Sequence, residues 1–249
     1  MAELHNLEQH TEGYADAQNV QERLLYEMRF GSYKDASRLP RESLLADELN
    51  ISRTQLRDSL AELEREGFIS RRQGLGTMIN RHVLDVPVRM DLEIEFMDMV
   101  RRSGRTPAER LESVNTVLSA PAAVKLGIGR TDEMLLVSRV VLADGRPAIY
   151  CEDYIPKSII KKSCGADELS KPIFTFLKDC CGKEAYLDVT EVRPTAASGP
   201  EAKKLKVPEG TPLLYMDEVD FDFEGTPIMY SKQFFVDGVI SHKVVRRKI

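Results

Sequence analysis

The chain is poor in the residues that usually build catalytic and metal centres. Its four histidines, His5, His10, His82 and His242, are scattered, with no carboxylate or cysteine at metal-ligand spacing. Its four cysteines include the adjacent pair Cys180 and Cys181, but no second pair completes a zinc site, so buried thiols are expected there. Glycine-rich nucleotide loops are absent. No apolar stretch approaches membrane-spanning length, and the start Met1-Ala2-Glu3-Leu4-His5 lacks both the basic and the apolar region of a signal peptide. Together these absences predict a cytoplasmic protein with reduced thiols, no membrane partner, no metal and no cofactor. An excess of positive charge is also missing, since the formal net charge is −5. A nucleic-acid binder with that balance must gather its cations on one docking face.

What is present is a soluble globular composition, 42% hydrophobic and 30% charged, over 249 residues, enough for two domains. The most informative run is Leu39 to Asn80. It reads Leu39-Pro40-Arg41-Glu42-Ser43-Leu44-Leu45-Ala46, then Ile51-Ser52-Arg53-Thr54-Gln55-Leu56-Arg57, then Gly67-Phe68-Ile69-Ser70 and Gly74-Leu75-Gly76-Thr77. Val20, Leu24 and Met28 recur at helical spacing and predict a first helix over 19–30, ended by Gly31-Ser32-Tyr33. A second helix follows Pro40 and is expected to bury Leu44, Leu45 and Leu49, with Asn50 as its left-handed cap. Ser52 caps a third helix whose inward stripe is Leu56, Leu60 and Leu63. Two short strands, 68–72 and 77–81, joined by the turn 73–76, complete the pattern of a winged helix.

A helix entering the major groove needs short or flexible donors near its N-terminus. Ser52, Arg53, Thr54 and Arg57 supply them, and Gln55 either reads adenine or is solvated. Arginine can bond guanine O6 and N7 together, worth roughly 1–3 kcal/mol of discrimination. Arg71, Arg72 and Gln73 beside Gly74 place donors on a wing whose glycines let backbone approach a groove. An ordinary amphipathic helix with solvated arginines is the competing account. Asp58, Glu62, Glu64 and Glu66 favour it, but they lie later on the helix, where it would be leaving the groove.

The second half contains a weak internal repeat. Ala123 to Ile128 parallels Ala202 to Val207, and each is followed by an apolar strand and an acidic-glycine turn, Asp144-Gly145 and Glu224-Gly225. The offset is 79 residues before the turn and 80 after it. A unit of short helix, strand, hairpin and strand used twice predicts one antiparallel sheet backed by helices, one of them over 172–180, with a pocket between its halves. The expected domain plan is a flexible arm 1–18, a winged helix 19–81, a linker 82–94 and a second domain 95–249.

Residues 20–80 resemble the winged helix of the GntR family of bacterial transcription regulators. The match runs through Leu39-Pro40-Arg41-Glu42, Ile51-Ser52-Arg53-Thr54-Gln55-Leu56-Arg57 and Glu66-Gly67-Phe68-Ile69. Residues 95–249 resemble UTRA, the effector-binding domain of the HutC subfamily, through Leu126-Gly127-Ile128, Ser138-Arg139, Asp144-Gly145-Arg146-Pro147, Tyr154-Ile155-Pro156 and Gly225-Thr226-Pro227. The resemblance implies an α+β chain: an N-terminal winged helix-turn-helix and a C-terminal antiparallel sheet with helices, similar to chorismate lyase. It implies a homodimeric repressor of a palindromic double-stranded DNA operator, controlled by a small-molecule metabolite. The family's DNA contacts fall on Arg53, Thr54, Arg57 and Gly74, while many relatives have Arg where this chain has Ser43.

In relatives that sense sugar phosphates, two arginines spaced i, i+2 hold the phosphate. Here Arg139 is followed by Val141, a helix-opening hydroxyl is replaced by Pro172, its aromatic partner by Phe174, and a Ser-Phe-Thr loop by Glu95-Phe96-Met97. Lost donors and an added carboxylate predict an effector that is not a sugar phosphate and that carries a cationic or hydrogen-donating group. The expected effector residues are Glu95, Arg139, Tyr150, Glu152 and Tyr230. Arg139 is equally suited to a salt bridge, and the tyrosines to packing. A rival reading, a lyase-like enzyme targeted to DNA, has Glu95, Glu152 and Asp153 available but no histidine or nucleophile beside them, so no catalytic residue is expected. A non-specific architectural DNA protein conflicts with the acidic charge.

Overall fold

The computed structural model describes residues 20–161, 166–169 and 171–246. The expected arm 1–18 lies outside them. The chain divides into two compact units, the described residues 20–87 with 244–246, and 88–243. The residues expected to form a linker are built into the units instead. Val83 and Leu84 are buried in the first, and Val88 is buried in the core of the second, so the change of unit falls between Pro87 and Val88.

The first unit carries α1 (Val20–Arg29), α2 (Glu42–Leu49), α3 (Arg53–Arg65), β1 (Ile69–Arg72), β2 (Gly76–Ile79) and the short α4 (Arg81–Leu84). Leu24 and Met28 of α1, Leu45 and Leu49 of α2, and Leu56, Leu60 and Leu63 of α3 are the buried stripes. Leu44 departs from expectation at 55% exposure. Once Leu45, Ala46 and Leu49 define the inward arc of α2, position 44 lies about 100° off it. Asn50 adopts the left-handed cap conformation at φ 54°.

The wing is an antiparallel pair in register Ile69↔Ile79 through Arg72↔Gly76. A bridge from Arg38 to Met78 gives it a partial third strand. Arg81 is the first residue of α4 rather than the last of a strand. Its guanidinium donates to the carbonyl oxygens of Met28, Tyr33 and Ala36, which ties the end of α1 and the loop after it to the base of the wing.

The second unit carries α5 (Phe96–Arg102), β3 (Pro107–Val117), α6 (Ala120–Leu126), β4 (Met134–Ala143), β5 (Arg146–Pro156), α7 (Ala166–Leu169), α8 (Ile173–Phe176, continuing as a wider turn over Leu177–Cys181), β6 (Leu187–Ala196), α9 (Gly199–Leu205), β7 (Pro212–Phe221) and β8 (Pro227–Val236). The six long strands form one antiparallel sheet in the order β3-β4-β5-β8-β7-β6. The repeat is therefore real in three dimensions. Each half is strand, helix, strand, hairpin, strand, and the halves meet where β5 pairs β8.

The duplication extends to backbone detail. Gly127 closes α6 at φ 64°, and Lys206, 79 residues on, closes α9 at φ 55°. Glycine adopts that conformation freely, whereas a side chain pays about 1–2 kcal/mol. Lys206→Gly is therefore expected to raise stability by about 1 kcal/mol, read as a higher urea midpoint. A lowered midpoint would mean that the exposed lysine side chain stabilises the cap by more than its backbone costs.

Helices and apolar clusters cover both faces of the sheet. On one, here the front, α5 packs over Val141, Ile149 and Phe235, and α8 packs over Ile155 and Met229. On the back, α6 lies against Tyr154 and Tyr230, and α9 against Val140, Tyr150 and Leu213. Cys151 and Cys181 are free thiols, but Cys180 is disulfide-bonded, a correction to the expectation of reduced thiols throughout. Sequence spacing carried no sign of that pairing, which depends on proximity in the folded chain.

Candidate nucleic-acid interface and effector site

Ser52 sets the start of α3 through a capping box. Its Oγ accepts from the Gln55 backbone N–H at 3.2 Å, while Gln55 Oε1 accepts from the Ser52 N–H at 3.2 Å. Gln55 is thus engaged in holding the helix start, a role its position three after a serine could have signalled. Arg53, Thr54 and Arg57 stand exposed on the outer face. Arg57 pairs with Glu42 at 2.8 Å.

The head of α2, the face of α3 and the wing converge on one cleft of about 400 Å³. Arg41, just before α2, and Ser43 of α2 line it, with Arg53 and Arg57 from α3, and Gly76 and Thr77 from β2. Arg41 was not singled out from the sequence; its place directly before a helix start was the available signal. No side chain caps α2, so its first-turn amides remain open to an acceptor such as a phosphate.

At the wing tip, Arg72, Gln73 and Gly74 are exposed. Gly74 has φ +81°, and a Cβ there would meet nothing within 4 Å, so the glycine answers a backbone requirement. Arg71 is different. Its backbone N–H and Nε both bond the Glu64 carboxylate, at 2.7 and 2.8 Å, so it fastens β1 to α3.

In the second unit the structure separates the five expected effector residues. Arg139 of β4 pairs with Cys151 of β5, so odd-numbered β5 residues share its front face and even-numbered ones point to the back. Tyr150 and Glu152 therefore face away from Arg139. The Tyr150 hydroxyl donates to Glu152 Oε1 at 2.8 Å, and that of Tyr230 donates to Asp217 Oδ2 at 3.2 Å, on the back face. Glu95 and Arg139 come together on the front, whereas Tyr150 and Glu152 pair with each other on the back. The missing signal was parity, legible once the Asp144-Gly145 hairpin fixes which β4 and β5 residues are opposite.

Between the two front-face apolar clusters runs a polar belt. Arg139 is buried, lies 3.6 Å from Glu109, and donates to the Leu169 carbonyl at 3.2 Å. Asp153 is buried and accepts from Ser231 Oγ at 2.8 Å. Glu218 accepts from Gln233 Nε2 at 2.7 Å. Further carboxylates close in from Glu93, Glu95, Asp188 and Asp220. Burial pushes Glu95 up to about 7, with Glu109 adding to the rise and Arg139 opposing it. Burial also raises Glu218 and Asp220, reinforced by neighbouring carboxylates. Among the described residues the belt therefore sets seven carboxyl groups around the guanidinium of Arg139.

Residues 16–79 match the gntR family of bacterial regulatory proteins, and residues 102–237 match the UTRA domain. The chain belongs to the GntR family. It is a DNA-binding transcriptional regulator with a UTRA effector domain, and the rival enzyme reading gains no support. Among its relatives, the "Probable fructoselysine utilization operon transcriptional repressor" of Escherichia coli (strain K12) is 26% identical over 219 residues, covering 86% of this chain and 88% of that protein. The "HTH-type transcriptional repressor NagR" of Bacillus subtilis (strain 168) is 25% identical over 222 residues, covering 87% and 88%. The crystal structure of the "possible transcriptional regulator YydK" from Bacillus subtilis subsp. subtilis str. 168 superposes with a TM-score of 0.70 at 22% identity, covering 85% of this chain and 91% of that one. That likeness confirms the fold of this GntR-family regulator. Among the described residues no helix is long and apolar enough to cross a membrane.

Proposed function

We propose that this regulator is a cytoplasmic homodimeric repressor that places α3 in the major groove of a palindromic operator and lays its wing against the adjoining groove. The observation that carries the reading is the cleft where Arg41, Arg53 and Arg57 meet beside the wing. Arg53, Thr54 and Arg57 are the base-reading candidates; Arg41, Ser52 and the open start of α2 suit phosphates. Arg72, Gln73 and Gly74 form the wing contact. Gln55 and Arg71 support the face by holding α3 and β1. Two copies of so short a reading face need paired half-sites about one helical turn apart. Several relatives are named as repressors, which favours that direction of control.

The effector is a small metabolite bound on the front-face belt, contacted by Glu95, Arg139, Asp153 and Gln233, and it is not a sugar phosphate. A phosphate dianion would meet one guanidinium already paired with Glu109 and an excess of carboxylates. A ligand with a cationic or hydrogen-donating group suits the same belt. Selection of bound duplexes from random DNA should yield two inverted half-sites, and titrating the selected duplex complex with hexose and hexosamine 6-phosphates should leave it intact. Release by any of these at micromolar concentration would overturn the effector reading, and a single unpaired site would overturn the dimer.

A further inference from the structure

At its β7 side the front-face belt ends in a three-carboxylate centre. Glu93, from the segment before α5, and Glu218 and Asp220 of β7 each bring an oxygen to within 4.8 Å of the others. Glu218 and Asp220 share a face because they are two apart on a strand. Asp220 is fully buried, and among the described residues no N–H or hydroxyl donor reaches either of its carboxylate oxygens; the group within hydrogen-bonding reach is another carboxyl, that of Glu93. A buried carboxyl group with no such donor must either keep its proton or gain a cation, because an ionised one would be among the most costly arrangements a core can hold. Glu218 is held in place from outside the trio. Gln233 donates to its Oε1 at 2.7 Å, and the Thr190 hydroxyl lies 2.7 Å from its Oε2. Thr190 lies equally close to Asp188, so its single proton cannot serve both carboxylates.

We propose that Glu93, Glu218 and Asp220 bind one divalent metal cation of the oxygen-preferring kind, Mg²⁺, Mn²⁺ or Ca²⁺. Such ions hold oxygens at about 2.0–2.6 Å, which puts neighbouring ligands about 3 Å apart and opposite ones about 4–5 Å apart. The trio fits within that span. It offers neither thiolate nor imidazole, the ligands that favour zinc or copper. Glu93 lies nearer solvent than the fully buried Asp220, which gives the ion a way in. Gln233 and Thr190 fix the Glu218 carboxylate as outer-shell partners fix a metal ligand. The bound ion would supply the positive charge that Asp220 lacks and pin the segment before α5 onto β7. This assignment does not depend on the nature of the effector.

The test uses the full-length protein stripped with EDTA and dialysed free of it. Manganese titration followed by the electron paramagnetic resonance of free Mn²⁺, with calorimetry for Mg²⁺ and Ca²⁺, should show saturable binding of one ion per chain and a raised unfolding temperature. Asp220→Asn and Glu218→Gln should each weaken binding by at least about tenfold while keeping the far-ultraviolet dichroism of the parent. At alkaline pH, where the parent must ionise Asp220, stripped Asp220→Asn should also be more stable than the stripped parent, because its side chain has no proton to lose. If the folded parent binds none of the three ions at millimolar concentration, or both variants bind as the parent does, the site is refuted. A proton shared between Glu93 and Asp220, or an organic ammonium, would then neutralise the centre instead.

Discussion

Replacing Arg53 by alanine is expected to weaken operator binding by about 5- to 150-fold, the range that roughly 1–3 kcal/mol of lost base contact implies. Arg53 sits at the first position of α3, exposed, in the cleft shared with α2 and the wing. Its side chain is on the exposed face of the helix, so the unfolding midpoint should not move. Arg57→Ala should produce a comparable loss for two reasons. It removes a donor, and it releases the Glu42 carboxylate, now paired at 2.8 Å, to face the DNA uncompensated. The double variant should not bind specifically at all. Fluorescence anisotropy with the selected duplex at one fixed salt concentration measures this, since affinity without stated salt has no meaning for a charged interface. Parental affinity in both single variants would remove α3 from the groove.

The second large effect is on stability against pH. Without metal, the regulator is expected to lose stability steadily from pH 5.5 to pH 9. Burial raises Asp220, Glu218 and Glu93, and their mutual repulsion adds to the rise. Asp153 and Glu109 rise for the same first reason, with Arg139 opposing, and Glu95 reaches about 7. Each of these groups has a folded pKa above its unfolded value near 4. The stability linked to them is complete below about pH 4 and is lost as pH climbs through the folded values. On the acid side, Asp217 and Asp222 have lowered values, and lose their contribution as pH falls below the ordinary carboxylate range. The optimum should therefore lie on the acid side of neutrality. Calorimetry in EDTA should show a falling midpoint, at roughly 2–4 °C per kcal/mol for a chain of this size. A flat or rising midpoint over that interval would mean that the front-face carboxyl groups are not strained. Asp220→Asn should flatten the fall.

The sequence was most legible where structure is local. The Ser52 cap, the Leu56, Leu60 and Leu63 stripe, the glycine-tipped wing and the helix–strand–hairpin–strand repeat all follow from periodicity and turn chemistry within a few residues. It was least legible where strand parity or a distant partner decides. Tyr150 and Glu152 looked as good as any pocket residue, yet a one-residue difference in parity sends them to the opposite face from Arg139. Leu44 looked like core until Leu45, Ala46 and Leu49 fixed the inward arc. Arg81 gave no hint of the three carbonyls it gathers from more than forty residues away.

The amino-acid sequence by itself determined that this is a winged helix joined to a duplicated sheet, and that Arg53, Thr54 and Arg57 share the outward face of one helix. Those features need only the fixed geometry of helix and hairpin. Only the tertiary structure decided that Arg41 joins that face, that the Arg139 guanidinium stands among seven carboxyl groups, and that Glu93 meets Glu218 and Asp220. These depend on which strands pair and in what register, and register is set by the whole packed sheet rather than by any short stretch of chain.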